Sequence, residues 1–427
     1  MAKKVTPEVE SFARIRVIGV GGSGGNAVNH MIESKVKGVE FIAVNTDAQD
    51  LHHSLSKHRI HIGKNLTKGL GTGMDSDIGK RAAEETKEEL QETINGSDMV
   101  FIAGGMGGGT GTGASAVVAK TAKEQGALTV AVVTKPFFFE GAQRMRLADQ
   151  GLEALRKEVD ALIIIPNDKL LQTVDKETTA SEAFAMSDEI LRVAVEGISD
   201  LIIKPGVINV DFADIRSIME NAGSALMGIG VASGDNRAVE AAKIAINSPL
   251  LDISVDGAKG VLFAIAGGSD MTMNEIQEAA KVITESIDQN AKVIFGAIND
   301  DKLRKNEIKV TVIASGFPQD VANESPHLPR EEQSFEKTVE DSGVGKIYNS
   351  LGLGKTKREE EEKEKGEKEE NGKAPQPTKE EKREKPAKKS PPKRKEKEEE
   401  KKNDDDEDDD DDDWGSIPSF LRRSKIR

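Results

Sequence analysis

Short apolar runs alternate with stretches of mixed polarity along the first part of the chain. The runs are rich in β-branched residues, several are apolar on both faces, and they cover 14–20, 39–44, 99–105, 128–134 and 161–166. Such runs predict buried strands of a parallel sheet. The stretches between them predict helices after the glycines at 21–25, and over 79–94, 114–126 and 142–158. This alternation indicates an α/β fold with a Rossmann-like, doubly wound sheet.

A long helix separates this unit from a second α/β unit. Thr179 and Glu182 have the spacing of a capping box, and the apolar positions that follow recur at helical spacing until Lys204-Pro205-Gly206. The predicted helix is about 30 Å long and joins the two units rigidly. After it, strands are predicted over 224–232, 260–267, 291–297 and 308–315, and a helix over 275–287.

The composition changes sharply near the end of the chain. From Lys355 to Asp413 there is no Val, Ile, Leu, Met, Phe, Tyr or Trp, so this stretch cannot bury enough apolar surface to fold by itself. We therefore predict a flexible N-terminus (1–11), a first domain (12–178), a central helix (179–204), a second domain (205–318), a disordered charged linker (319–413) and a C-terminal peptide (414–427).

Charge and residue usage exclude several classes of protein. The formal net charge is −15, and residues 1–320 carry 34 basic and 44 acidic groups, which argues against a nucleic-acid partner. The absence of cysteine excludes disulfides and thiolate chemistry, and the histidines at 52, 53, 58 and 61 suit a solvated face better than a metal site. With no secretory signal in MAKKVTPEVE and no apolar run of membrane length, we expect a soluble cytoplasmic protein.

A first glycine cluster, GVGGSGGN at 19–26, lies between a predicted strand and a predicted helix. Backbone N–H groups at a helix N-terminus favour phosphate. Gly19, Gly21 and Gly24 match the dinucleotide-binding fingerprint, and Asp47 stands where a ribose-binding acid would. The alternatives at this point are a plain tight turn and a nicotinamide-dependent dehydrogenase.

A second cluster, GGMGGGTGTG at 104–113, is more specific. It has seven glycines in ten residues, which would weaken a regular element but suit a backbone that approaches a di- or triphosphate with positive φ angles. A flexible linker is the alternative, although linkers do not interrupt a strand–helix unit. A dehydrogenase has no use for this second loop, and the P-loop lysine is missing.

Two polar groups can be interpreted in two ways. Glu140 and Arg144 are four residues apart, so they are either a surface ion pair or ligands of a sugar and a phosphate. In NVDFAD at 209–214, Asp211 suits an N-cap, and Asp211 with Asp214 also suits a pair that activates water. The second interpretation meets a difficulty: the long helix separates NVDFAD from the glycine clusters, so it is not expected to reach a ligand bound there in its own chain.

These motifs together resemble the FtsZ family, the tubulin-like GTPases of bacterial cell division. The resemblance covers about residues 12–318 and the terminal peptide. It is carried by GMGGGTGTG at 105–113, NVDFAD at 209–214, VNTDAQ at 44–49, PFFFEG at 136–141, IPND at 165–168 and GSALMGIG at 223–230.

The resemblance implies a GTP site with Mg²⁺ bound mainly through the phosphates. It implies phosphate contacts from Gly21, Gly22, Ser23, Gly24, Gly25, Asn26, Gly104, Gly107, Gly108, Gly109, Thr110, Gly111 and Thr112. Glu140 would bind the ribose and Arg144 the sugar-phosphate region. Asn167, Phe184 and Asp188 would hold the base. A carboxylate at 188 favours guanine, because it can accept from N1–H and the 2-amino group whereas adenine N1 is an acceptor.

The resemblance also implies head-to-tail filaments in which NVDFAD of one copy closes over the nucleotide of its neighbour. Asp211 and Asp214 would then polarise the attacking water, with Asn209 positioning it, so that hydrolysis depends on assembly. The filaments would form the cytokinetic ring at midcell, on the inner face of the membrane. Membrane-anchor and regulatory proteins would bind the terminal peptide through Ile417, Pro418, Phe420 and Leu421.

Some positions depart from the family's pattern, and two rival functions stay open. Ser23, Gly25, Phe138 and the Ala142-Gln143 pair are unusual, and we expect them to shift nucleotide affinity without removing activity. A dehydrogenase would leave NVDFAD without a use. A non-hydrolysing filament, or a tubulin-like protein of DNA segregation, would polymerise without turnover, and the terminal peptide favours division over segregation.

Overall fold

The computed structural model describes residues 13–172, 178–248, 257–300 and 302–317. The predicted N-terminal segment 1–11, the linker 319–413 and the peptide 414–427, with Ile417, Pro418, Phe420 and Leu421, lie outside the described residues. Within the described ranges, no helix is both long enough and apolar enough to cross a bilayer.

The strands are β1 Ile15–Val20, β2 Val39–Asn45, β3 His58–His61, β4 Met99–Gly105, β5 Leu128–Lys135, β6 Ala161–Pro166, β7 Gly206–Ile208, β8 Gly223–Ser233, β9 Gly260–Gly267, β10 Lys292–Asn299 and β11 Glu307–Ser315. The helices are α1 Gly21–Glu33, α2 Ala48–His53, α3 Lys64–Thr67, α4 Ser76–Glu85, α5 Lys87–Ile94, α6 Thr110–Glu124, α7 Ala142–Arg156, α8 Asn167–Leu171, α9 Ala180–Ile203, α10 Phe212–Met219, α11 Arg237–Ile246 and α12 Met273–Thr284. A short 3₁₀ helix covers Phe138–Glu140.

The described strands form one mixed sheet in the order β3-β2-β1-β4-β5-β6-β8-β11-β9-β10-β7. The pairs from β3 to β8 are parallel, while β11 runs antiparallel to both β8 and β9. One face of the parallel half buries α1, α9 and α10, and the other face buries α4, α5, α6 and α7. The predicted α/β class and doubly wound sheet are therefore confirmed.

The predicted helix over 79–94 is wrong in one respect, because the segment forms two helices. α4 ends and α5 begins at Thr86, whose Oγ1 donates to Ala82 O at 3.3 Å and accepts from Gly63 N at 3.1 Å. This hydroxyl bonds a residue distant in sequence, so local helical periodicity carries no sign of the break.

The central helix α9 is confirmed, with 24 residues and a complete capping box at Thr179 and Glu182. Its middle buries an ion cluster: Arg192 Nε lies 2.6 Å from Glu189 Oε2, and Arg192 also pairs with Glu196. Lys302 Nζ adds a contact of 3.1 Å to Glu196 Oε1. Burial alone would raise the pKa of Glu196, but Arg192, Lys309 and Lys302 together lower it to about 2.

Replacing Arg192 with methionine should destabilise the fold by about 3–5 kcal/mol, because Glu189 and Glu196 would stay buried without their cation. In the native protein the lowered pKa of Glu196 means that its stabilisation is present above about pH 4.5 and is lost as the pH falls toward 2. The variant's deficit should therefore shrink at acid pH. Urea unfolding at pH 7 and at about pH 3 measures it.

Lys281→Met on α12 is the control, since Lys281 Nζ lies 3.8 Å from Glu285 Oε1 and both side chains are exposed. We expect no measurable change from it. Equal stability of Arg192→Met and the native protein at pH 7 would contradict the assignment of a stabilising ion cluster.

Candidate functional site

A cleft of about 450 Å³ opens at the carboxyl ends of β1, β4, β5 and β6. It lies where β1 and β4 are neighbours and the sheet order reverses direction, which is where open α/β sheets bind ligands. Thirteen of the residues assigned from the sequence line it, namely Gly21, Gly22, Ser23, Asn26, Gly108, Gly109, Thr110, Gly111, Glu140, Arg144, Asn167, Phe184 and Asp188.

Two helices begin at this cleft without a capping side chain. Neither α1 nor α6 receives a side-chain hydrogen bond at its N-cap from a described residue, and neither has an acid in its first turn. By contrast, α9 is capped by Thr179. Uncapped N-termini leave backbone N–H groups and the positive end of the helix dipole for an anion.

The two glycine loops are in direct contact. A Cβ added to Gly21 would lie only 2.9 Å from Gly111 N, and Gly21 also has a φ of +73°. Gly24 instead packs α1 onto the sheet, because its Cβ would lie 2.5 Å from Ala103 O. Gly25 faces a small second cavity beside Asp50.

Most glycines of the second cluster serve packing and not an unusual backbone. In this fully described stretch only Gly107 has a positive φ, of +97°, while Gly104 and Gly105 lie in β4 and Gly111 lies in α6. A Cβ at Gly109 would lie 2.8 Å from Asp75 O, just before α4. The expected positive φ angle is therefore found at Gly107 alone, and Gly109 and Gly113 instead let α4 approach α6 closely.

Gly108 is different, since no described atom beyond its own chain neighbours lies within 4 Å of where its Cβ would be. Its φ is not in the left-handed region, so neither packing nor backbone strain requires glycine there. The position faces the open cleft. A ligand close to the backbone is the remaining physical reason for glycine.

Threonine hydroxyls gather beside the start of α6. Thr110 Oγ1 lies 2.6 Å from Thr46 Oγ1 and 3.5 Å from Thr72 Oγ1. Thr112 lies behind the loop, where its Oγ1 accepts from Gly107 N at 2.8 Å. Thr46 and Thr72 come from other loops, and neither glycine cluster indicates them, although Thr46 lies within VNTDAQ at 44–49.

The cleft has seven further lining residues that the sequence interpretation did not assign. They are Val20, Thr72, Gly105, Met106, Thr134, Pro136 and Ser187. Most of them lie at a predicted strand end or next to an assigned residue, so their position in the cleft is expected from those neighbours. Thr72 is indicated only by the three glycines in the stretch 69–73, which are typical of a loop close to a ligand.

Glu140 and Arg144 do form the pair that their spacing allows, and both line the cleft. Arg144 Nη1 donates to Glu140 Oε2 at 2.6 Å, while Glu140 Oε1 accepts from Phe137 N at 2.9 Å. The pair therefore places a carboxylate and a guanidinium in the lining of the cleft. Phe138 is 82% exposed and does not line the cleft.

Next to this pair, across Phe137, the cleft combines an aromatic ring with polar acceptors. Phe184 is 45% exposed and stands edge-on to Phe137 at 5.3 Å. Asn167 Oδ1 accepts from Ser187 Oγ at 3.1 Å. Burial raises the pKa of Asp188 to about 6, although His30 acts against the shift. An acceptor next to an exposed ring face suits a planar base with N–H donors.

Asp47 is used elsewhere than in the cleft. Its carboxylate caps α2 by accepting from Gln49 N at 2.9 Å and Asp50 N at 3.2 Å, and it does not line the cleft. The ribose-binding acid of a dehydrogenase therefore has no counterpart at this position.

NVDFAD lies away from the cleft. Asp211 is the N-cap of α10 and accepts from Ala213 N at 3.4 Å, Asp214 lies in the first turn, and Asn209 Oδ1 accepts from Gly206 N at 2.7 Å. All three are exposed, and none lines the cleft. They follow the far end of α9, which lies about 22 Å along the helix from Asp188.

Comparisons with known proteins agree with this architecture. Residues 14–175 match the model of the Tubulin/FtsZ family, GTPase domain, and residues 223–318 match that of the FtsZ family, C-terminal domain. The chain is similar to the empty FtsZ dimer of M. jannaschii, with 45% identity and a TM-score of 0.70 over 72% of this chain and 89% of that one. It also shares a fold with the GTPγS-bound CetZ2 protofilament of Haloferax volcanii, at 21% identity and a TM-score of 0.61 over 72% of this chain and 94% of that one.

Proposed function

Since this chain belongs to the tubulin/FtsZ family of GTPases, we propose that it hydrolyses GTP only where two copies meet head to tail in a filament. The observation that carries the proposal is the separation of Asp211 and Asp214 from the cleft: neither lines it, and both follow the end of α9, about 22 Å along the helix from Asp188. One copy then supplies the phosphate-binding helices and the next supplies the carboxylates.

The cleft accounts for the binding of GTP. The uncapped starts of α1 and α6 hold the phosphates, Glu140 and Arg144 hold the sugar region, and Asp188 accepts from guanine. The hydroxyls of Thr72 and Thr110 line the cleft and would face a phosphate-bound Mg²⁺, with the buried Thr46 hydroxyl bonded to Thr110 behind them. When bound, the ion neutralises charge on the β- and γ-phosphates.

Hydrolysis follows from positioning. In the filament, Asp211 and Asp214 of the neighbouring copy orient and polarise the water that attacks the γ-phosphate, and Asn209 helps to place it. Because this pair joins unlike surfaces, repetition generates an open polymer.

We also propose a cellular role in a cytokinetic ring at the division site, with the terminal peptide 414–427 binding anchor and regulatory proteins. The resemblance of DWGSIPSFLRR at 413–423 to the family's terminal peptide supports this role. A bacterial host stays a prediction, since the similar FtsZ structure comes from M. jannaschii.

Light scattering recorded together with phosphate release tests the proposed function. GTP should give both signals and ATP neither, since Asp188 rejects the adenine acceptor. Filaments without phosphate release would support the non-hydrolysing rival, and equal turnover of ATP would contradict the assigned base pocket.

Gly108→Ala tests the cleft itself. The methyl group meets no described protein atom, so we expect an unchanged melting temperature. It does enter the space next to the backbone N–H donors, and we expect GTP affinity to fall about tenfold or more. Nucleotide titration and thermal melting measure the two effects, and native affinity in a folded variant would place the phosphates elsewhere.

A further inference from the structure

Helix α6 connects two functional regions of one subunit. Its first turn, at Thr110, lines the nucleotide cleft, and its last residue is Glu124. Fifteen residues make a rod of about 22 Å. Just beyond its far end, Gly126 O accepts a hydrogen bond of 3.1 Å from Arg216 Nη2 on α10.

Several polar contacts join the far end of α6 to α10, and we call this group the clasp. It consists of Lys123, Gly126, Asp160, Arg216 and Asn221. Lys123 Nζ lies 3.0 Å from Asp160 Oδ1 and 3.4 Å from Asn221 Oδ1. Asp160 is nearly fully buried, and it also accepts from Thr129 N at 2.9 Å. The clasp therefore joins the residues that follow α10 to the start of β5, which comes directly after α6 in the chain.

Arg216 is the residue of the clasp that lies within α10 itself. Its guanidinium lies 5.5 Å from the ring centre of Phe212. Its Nε is buried and has no hydrogen-bond partner among the described residues. Leaving a buried donor unpaired is unfavourable. A contribution to local stability therefore does not fully explain why an arginine occupies this position. A carbonyl at a helix C-terminus is nevertheless a favourable partner for a cation.

Arg216 lies on the same short helix as both carboxylates of the proposed hydrolytic pair. Asp211 caps α10 and Asp214 lies two residues before Arg216. Ser217 Oγ donates to Asp214 O at 2.6 Å and accepts from Lys292 Nζ at 2.6 Å. The buried face of α10, with Ile215, Ile218 and Met219, lies on the core. The hydrogen bond from Arg216 to Gly126 O adds a polar restraint on α10 to that of its packed face.

We propose that Arg216 is a positioning residue, which holds Asp211 and Asp214 in their hydrolytic orientation by tying α10 to the end of the phosphate-binding helix α6. The inference rests on the proposed function. The residue acts through α10 and does not bind the nucleotide of its own subunit. The same contact makes α6 a direct link between the cleft at one pole and the acids at the other.

The test measures GTP turnover per sedimented subunit for Arg216→Gln, Arg216→Lys and Lys281→Gln in the full chain. We expect Arg216→Gln to lower kcat about 10- to 100-fold with KM for GTP changed less than twofold. Lysine should restore part of the loss, since it can still donate to Gly126 O. Lys281→Gln, on the exposed side of α12, should match the native protein. A lower affinity for GTP with an unchanged kcat would overturn the proposal.

A double-variant cycle separates positioning from direct contact with the neighbour's nucleotide. Gly126→Ala strains a residue whose φ is +79° and so displaces the carbonyl that Arg216 binds. If Arg216 acts through that carbonyl, Arg216→Gln with Gly126→Ala should be no slower than the slower single variant. Fully additive losses would mean that Arg216 works elsewhere, and would overturn the proposal.

Mixed filaments show at which pole the damage lies. Arg216→Gln mixed with Thr110→Ala should regain turnover, because a sound cleft then meets a sound α10. Arg216→Gln mixed with Asp214→Ala should stay inactive. No recovery with Thr110→Ala, while Asp214→Ala does recover with it, would overturn the role of Arg216 alone. If neither Arg216→Gln nor Asp214→Ala recovers turnover when it is mixed with Thr110→Ala, the shared site on which the proposal rests is rejected.

Discussion

Asp214→Ala should lose GTP turnover by about 100-fold or more while it still binds GTP and forms filaments. Asp214 lies in the first exposed turn of α10 and does not line the cleft of its own chain. Removing its carboxylate therefore leaves the phosphate-binding helices intact but takes away a group that polarises the attacking water. Phosphate release, nucleotide titration and sedimentation measure the three properties separately.

Asp235→Ala is the matched control, since it removes another exposed acid of the same half of the chain, outside α10. We expect native turnover from it. Normal turnover in Asp214→Ala, or a loss of GTP binding that explains its inactivity, would remove the acid from the proposed reaction.

Mixing Asp214→Ala with Thr110→Ala extends the first prediction to the filament. Thr110 lies at the start of α6 in the cleft, so this variant is damaged at the opposite pole. Each variant alone should be nearly inactive. In the mixture, a sound cleft meets a sound α10 at some contacts, and part of the activity should return. A mixture no more active than its components would contradict catalysis across the subunit contact.

Asp188→Asn should weaken GTP binding by about 100-fold or more and abolish the preference over ATP. The carboxylate can accept two hydrogen bonds from guanine, whereas the amide turns a donor toward one of the guanine donors. The same change should raise the melting temperature. Burial raises the pKa of Asp188 to about 6, so the charged carboxylate is unfavourable in the fold.

The pH dependence follows from the same shift. Because the folded pKa lies above the ordinary value near 4, the unfavourable term develops as the pH rises from about 4 and is complete above about 6. The stability advantage of Asp188→Asn should therefore be present at pH 7.5 and vanish near pH 4. Thermal melting across this range measures it.

GTP binding should show the opposite trend, since guanine needs the charged acid. Affinity of the native protein should fall as the pH drops below 6, by up to about tenfold per unit. Protonation of the GTP phosphates affects native protein and Asp188→Asn alike, so the difference between their profiles isolates the carboxylate. Parallel profiles would show that Asp188 does not bind the base.

Local patterns predicted the frame of the molecule well. β4 and β6 are apolar on both faces and lie between turn residues, so Met99–Gly105 and Ala161–Pro166 matched their predicted ranges. The capping box fixed the start of α9. Glycine clusters after β1 and β4 located the cleft, since carboxyl ends of parallel strands converge at one edge.

Contacts between distant segments escaped prediction. The break at Thr86 depends on Gly63, and the hydroxyl cluster at Thr110 depends on loops that hold Thr46 and Thr72. The glycines at 109 and 113 reflect the approach of α4, which no pattern within the cluster reveals. Sequence spacing alone also left both roles of Asp211 open, and its N-cap is now observed while the catalytic role is proposed.

The most direct test measures phosphate release per subunit while the full-length protein is diluted stepwise in saturating GTP. If the hydrolytic site is built from two subunits, the specific rate should be close to zero below a threshold concentration, rise steeply above it, and follow the scattering signal. A specific rate that stays constant down to concentrations where scattering and sedimentation detect only monomers would contradict the account.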